Sequence, residues 1–242
     1  MDFLYALVAY GLSCARIRRA TGALAILAVS ASLCLALPAT AREIIILGFG
    51  DSLMAGYGLA PGESFPAQLE AALKARLGAR VRVLDAGVSG DTSAGGRARL
   101  DWVLASLPEG PPDLLILELG ANDALRGIDP ALTRVNLAAI LETLRDRRIP
   151  VLLAGMRAPP NMGADYARAF DAIYPELAEE YAVAAFYPFF LDGVAAERAL
   201  NQADGIHPTA EGVALIVARI LPSVLEALAT AQHADGKEAE RP

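Results

Sequence analysis

The 242-residue sequence predicts a three-layer α/β/α sandwich around a five-stranded parallel sheet. Three observations predict it. Short, near-continuous apolar runs alternate with longer stretches that carry apolar residues at helical spacing, the pattern of a parallel sheet covered on both faces. Apolar residues make up 55% of the chain and aromatics 6%, so Ala, Leu, Val and Ile must supply the core. Glycine and polar clusters follow the apolar runs, at the edge where such a sheet holds its ligand crevice.

The elements follow in order. Glu43–Gly48 predicts the first strand, and Phe65–Leu77 a helix. Val81–Ala86 predicts the second strand, with a helix over Ala94–Ser106. Leu114–Leu119 predicts the third strand. In the next helix, Pro130–Arg147, Leu132, Val135, Ala139, Leu141 and Leu144 share one face, while Arg134, Glu142, Arg145 and Asp146 lie outside it. Asp129 before Pro130 is an N-cap followed by proline at the first helical position. Val151–Ala154 and Ala184–Tyr187 predict the last two strands, Tyr166–Glu180 and Thr209–Ala229 the last two helices. The polar stretch 233–242 is expected to be a disordered tail, and there is no internal repeat.

Residues 1–41 differ from the rest. Arg16, Arg18 and Arg19 form a basic cluster, Ala20–Ala41 carries no charge, and the segment closes in Ala39-Thr40-Ala41, an A-x-A cleavage pattern. The segment is expected to be a secretory signal peptide, which leaves a domain over 42–232. The alternative is an uncleaved membrane anchor, since an uncharged run of this length suffices to span a bilayer. Both readings export the domain, with the basic cluster held in the cytoplasm. Cys14 and Cys34 fall within the segment, so the remaining chain has no thiol nucleophile and no disulfide. The whole chain has a formal charge of −7, and without the segment the balance is more acidic still. No Lys/Arg run offers a footprint for nucleic acid.

The polar clusters carry the chemistry. Gly50-Asp51-Ser52 follows the first strand, "GVSGDTSAGG" (Gly87–Gly96) the second, and Gly120-Ala121-Asn122-Asp123 the third. Asp204-Gly205-Ile206-His207-Pro208 precedes the last helix. A serine hydroxyl needs a base, and a neutral imidazole near pH 7 is the usual one. His207 stands three residues after Asp204, a separation that lets the carboxylate fix the imidazole's tautomer. The other histidine, His233, lies in the polar tail. Attack by Ser52 on an acyl carbon creates an oxyanion, for which the Ser52 N–H, the Gly90 backbone and the Asn122 amide are candidate donors. Asp51 and Asp123 read as turn or support residues. Leu125, Ile128, Met156, Pro159, Pro160 and Ile206 are candidates for an acyl groove. No G-x-S-x-G elbow, metal-ligand cluster or dinucleotide fingerprint occurs.

These four blocks, in this order, resemble the SGNH, or GDSL, hydrolases. "ELGANDALRG" and "DGIHPTAEG" are similar to the bacterial periplasmic thioesterase I/lysophospholipase and arylesterase branch. The resemblance covers about Glu43 to Leu228, with Phe49 before the first block as a small departure. It implies a flavodoxin-like sheet, Ser52 as nucleophile, His207 as base, Asp204 as its orienter, and Ser52, Gly90 and Asn122 as the oxyanion hole. It also implies a periplasmic or secreted esterase, thioesterase or lysophospholipase acting on a small-molecule substrate, with no cofactor and no metal. No nucleic-acid partner and no stable membrane anchor after cleavage are expected; the oligomeric state is left open. A carbohydrate deacetylase of the same superfamily is the alternative within enzymes. A non-catalytic binding protein on a flavodoxin-like scaffold is the alternative outside them. Covalent labelling of Ser52 separates the enzyme from the binder.

Overall fold

A computed structural model describes residues 42–78 and 80–239. The expected signal segment 1–41 and the last residues, 240–242, lie outside the described residues. The chain elements are β1 (Ile44–Gly50), α1 (Ser52–Ala55), α2 (Phe65–Leu77), β2 (Val81–Gly87), α3 (Ser93–Ala105), β3 (Leu114–Glu118), α4 (Ala121–Leu125), α5 (Pro130–Asp146), β4 (Val151–Ala154), α6 (Ala164–Glu180), β5 (Ala185–Tyr187) and α7 (Ala210–Ala239). Two short 3₁₀ turns, Pro160–Met162 and Arg198–Leu200, lie in the loops after β4 and β5.

The five strands form one sheet in the order β2-β1-β3-β4-β5, every pairing parallel. This is the flavodoxin-like order, and its direction of winding reverses between β1 and β3. Apart from Glu118 at the end of β3, strands β3 and β4 are apolar because helices cover both faces: all residues of both strands are buried. On one face α2 packs against α7; on the other α5 packs against both α3 and α6. The segment Ala210–Ala231 is long and apolar enough to cross a bilayer. Its Val213, Ile216, Val217, Ile220, Val224 and Leu228 recur at helical spacing and are buried in the protein core, which accounts for that apolarity.

The end of the first strand differs from the sequence reading for a physical reason. The first strand runs two residues beyond Gly48, because Gly48 and Gly50 lie where α1 folds back against the sheet. A Cβ on Gly48 would stand 2.6 Å from the Met54 sulfur, and one on Gly50 2.5 Å from Glu118 Oε2. Gly50→Ala is accordingly expected to destabilise the fold by roughly 1–3 kcal/mol through overpacking. Urea denaturation measures it; since the Cβ would also stand 2.6 Å from the Glu118 backbone carbonyl and 2.8 Å from Met54 Cβ, an unchanged midpoint would show that α1 and β3 shift apart freely.

Candidate active site

Each strand delivers its loop to the same sheet edge. At the end of β1 the chain turns through Asp51, whose Oδ1 accepts the N–H of Leu53 at 3.0 Å and caps the short helix α1. Ser52 therefore sits at the first position of that helix, 9% exposed. Its Oγ lies 2.9 Å from His207 Nε2, and His207 Nδ1 lies 2.7 Å from Asp204 Oδ2.

His207 is held from several sides. Asp204 Oδ1 accepts the N–H of Ile206 at 2.9 Å and of His207 at 3.1 Å, which folds the loop around the carboxylate. An antiparallel bridge, Asn201 to Pro208, closes the loop at its base. The Gln202 amide ties it to the Tyr57 carbonyl at 2.8 Å, and the Tyr57 ring lies against the imidazole with centroids 4.6 Å apart. The His207 hydrogen bond, followed by the two backbone N–H bonds, holds the Asp204 carboxyl down at about 2, so it is charged throughout the neutral range.

Asn122, on α4 beyond β3, donates from Nδ2 to Asp51 Oδ2 at 3.0 Å. Asp51 is fully buried, and burial pushes its carboxyl up to about 6 against the pull of its Leu53 and Asn122 hydrogen bonds. Beneath it Glu118, the last residue of β3, is buried, and its Oε2 accepts the Asp51 N–H at 3.3 Å. Burial, and next the Asp51 charge, drive Glu118 well above the ordinary carboxylate range. Asp123 faces the other way and accepts from the Ser93 N–H at 2.7 Å and from Thr133 Oγ1 at 3.1 Å, which ties α4 to α3 and α5.

A cleft of about 600 Å³ opens above these groups, lined by Ser52, Asn122 and His207 together with apolar side chains. Of the predicted groove residues, Leu125, Met156, Pro159, Pro160 and Ile206 line it. Ile128 is not among the lining residues; its carbonyl accepts from Tyr166 Oη at 2.8 Å and its N–H donates to the Asp123 carbonyl at 2.9 Å. Gly90 has a left-handed φ of +87° and lies outside the lining, its carbonyl accepting from Arg126 at 2.7 Å. Sequence reasoning missed Leu53, Arg157, Phe189 and Leu191 in the lining. Their shared signal is position, in the loops directly after β4 and β5 or just beyond the nucleophile. Among the described residues no three His, Cys, Asp or Glu side chains are grouped to hold a metal ion.

The sequence model of the GDSL-like lipase/acylhydrolase family matches residues 49–215. The chain belongs to that family. It is a carboxylic ester hydrolase. Among family relatives, esterase TesA of Pseudomonas aeruginosa is 40% identical over 186 residues, which span 77% of this chain and 89% of that protein. Thioesterase 1/protease 1/lysophospholipase L1 of Escherichia coli is 40% identical over 170 residues, 70% of this chain and 77% of that one. The crystal structure of AlinE4, an SGNH-hydrolase family esterase, superposes with a TM-score of 0.65 at 54% identity, covering 77% of this chain and 97% of its own.

Proposed function

We propose that this member of the family is an exported serine hydrolase in which Ser52 is the nucleophile, His207 the general base and Asp204 its orienter. The observation that carries the assignment is the unbroken chain Ser52 Oγ, His207 Nε2, His207 Nδ1, Asp204 Oδ2, with contacts of 2.9 and 2.7 Å, on the floor of an apolar cleft. Ser52 attacks the acyl carbonyl as His207 takes its proton. The oxyanion is met by the Ser52 N–H, the Gly90 N–H and the free N–H of the Asn122 amide. His207 returns the proton to the leaving alcohol or thiol, and an acyl-serine remains. Water then attacks that ester with His207 again as base, and the acid departs.

The lining supports an acyl chain as the recognised group. Leu125, Met156, Pro159, Pro160 and Phe189 offer apolar surface beside one reacting centre, which suits aryl esters, acyl thioesters and lysophospholipids alike. The relatives' names point to the same range. A periplasmic or secreted location follows from the signal-like segment 1–41. The test is covalent: a fluorophosphonate should label one residue, Ser52, identified by peptide mass. A p-nitrophenyl ester series of increasing acyl length, run beside acyl-CoA and lysophospholipid, then ranks the substrates. Absence of labelling in protein that turns over esters would remove Ser52 from the mechanism.

Asn122→Ala is expected to lower kcat roughly 10²- to 10³-fold, the scale of losing one oxyanion donor. KM should change little, since the amide acts mainly on the transition state. A raised KM with kcat intact would make Asn122 a substrate-binding residue instead.

A further inference from the structure

Asn122 can supply an oxyanion donor only if its amide is turned the right way. An amide is nearly symmetric in shape, so something must decide which end faces the cleft. Among the described residues, the Asn122 amide makes one side-chain hydrogen bond, from Nδ2 to Asp51 Oδ2 at 3.0 Å. An ionised carboxylate only accepts, so it tolerates the nitrogen and rejects the oxygen. A protonated Asp51 could donate instead, and would be equally satisfied by a flipped amide. The flipped amide would aim oxygen lone pairs at the site where negative charge develops.

We propose that ionised Asp51 is a positioning residue that locks the Asn122 amide in its donor orientation, and that Glu118 beneath it retains the proton that would release the lock. The inference rests on the reading of Asn122 as an oxyanion donor.

The surroundings say which acid keeps the proton. Both Asp51 oxygens are met by donors, Leu53 N–H on one and the Asn122 amide on the other, each at 3.0 Å. Glu118 is equally buried, and its donors are the backbone N–H groups of Asp51, 3.3 Å from Oε2, and of Met54, yet its Oε1 has no hydrogen-bond partner. Two carboxyl groups that feel each other's charge in a dry site cannot both ionise cheaply, and the one with an unpartnered oxygen stays neutral. The other charged groups around Asp51 leave that balance in place. His207, from the loop before α7, favours its ionisation when charged; Asp91, in the loop after β2, opposes it. Asp91 is itself paired with Arg99 of α3 at 2.6 Å, and Arg99 Nη2 also donates to the Gly50 carbonyl at 2.9 Å.

The sign is definite. Asp51 is pushed up to about 6, so the lock forms as pH rises through that value and is lost below it. Activity then requires two ionisations on the acid side, neutral His207 and charged Asp51. The rate of wild-type enzyme on p-nitrophenyl acetate should fall toward a dependence on the square of proton concentration. Asp51→Asn should lose roughly 10- to 100-fold in kcat with KM within about twofold, and its acid limb should revert to a single ionisation. Glu118→Gln, a neutral isostere, should keep kcat and the acid limb within about twofold. In ¹⁵N-asparagine-labelled protein, the Asn122 side-chain resonance should shift in one transition near pH 6 that is absent from Asp51→Asn. The proposal is overturned if that resonance does not titrate, if Asp51→Asn keeps the double acid limb, or if Glu118→Gln abolishes it. The resonance is read without turnover. A titrating amide in a protein that hydrolyses no ester would therefore sink the hydrolase reading and leave the lock standing. Turnover without amide titration would do the reverse.

Discussion

Ser52→Ala is expected to reduce turnover by roughly 10⁴- to 10⁶-fold while leaving the fold intact. The hydroxyl is already in contact with the imidazole proposed as its base, at 2.9 Å from His207 Nε2. Its removal takes away one hydrogen bond, a loss of about 0.5–1.5 kcal/mol of stability. Backbone contacts hold the rest of the turn: the Ser52 carbonyl still accepts from Tyr57 N–H at 3.1 Å, and Asp51 still caps the helix. Substrate should therefore still bind, with an affinity measurable by quenching or competition, while single-turnover acylation disappears. Activity within tenfold of wild type would exclude Ser52 as the nucleophile.

The second large effect is Asp204→Asn, expected to lower kcat roughly 10⁴-fold. The charged carboxylate fixes the proton on His207 Nδ1 and leaves the Nε2 lone pair toward Ser52. An amide in its place can keep its oxygen on the Ile206 and His207 N–H groups, where Oδ1 now sits. Its NH₂ then faces Nδ1 and demands an acceptor there. The imidazole satisfies it by carrying its proton on Nε2, and a protonated Nε2 cannot take one from Ser52. Because the carboxyl is held at about 2, acid does not reproduce this defect until far below the working range. Its sign in stability is that of a lowered carboxyl: the contribution is present above pH 4 and lost as pH falls toward 2. Steady-state kcat for the variant across pH 5–9 is the measurement. A loss below tenfold would leave Asp204 as a loop-former only.

The sheet was legible because β1, β3 and β4 are buried on both faces and so are written as unbroken Ile, Leu and Val. The serine, base and orienter were legible because each lies just past an element end, in a block whose residue types are chemically unusual together. Glu118 was not. At the end of an apolar strand a glutamate reads as the first solvated residue, and only the packing of α1 over Gly50 reveals that it is buried. The cleft walls were half legible. Pro159 and Pro160 stand out as a loop signal, whereas Phe189 and Leu191, apolar residues just past the last strand, carry nothing in their types that separates a cleft wall from ordinary core packing.

Ser52 and His207 are 155 residues apart in the chain, at the two ends of the folded domain, while Asp204 and His207 share one small loop. A growing or partly threaded polypeptide thus holds its nucleophile long before any base arrives. No stretch that ends before His207 contains the reactive pair, however well its early strands have formed. Reactivity appears only when the last loop docks beside the first, so hydrolysis serves as a sensor of completed folding.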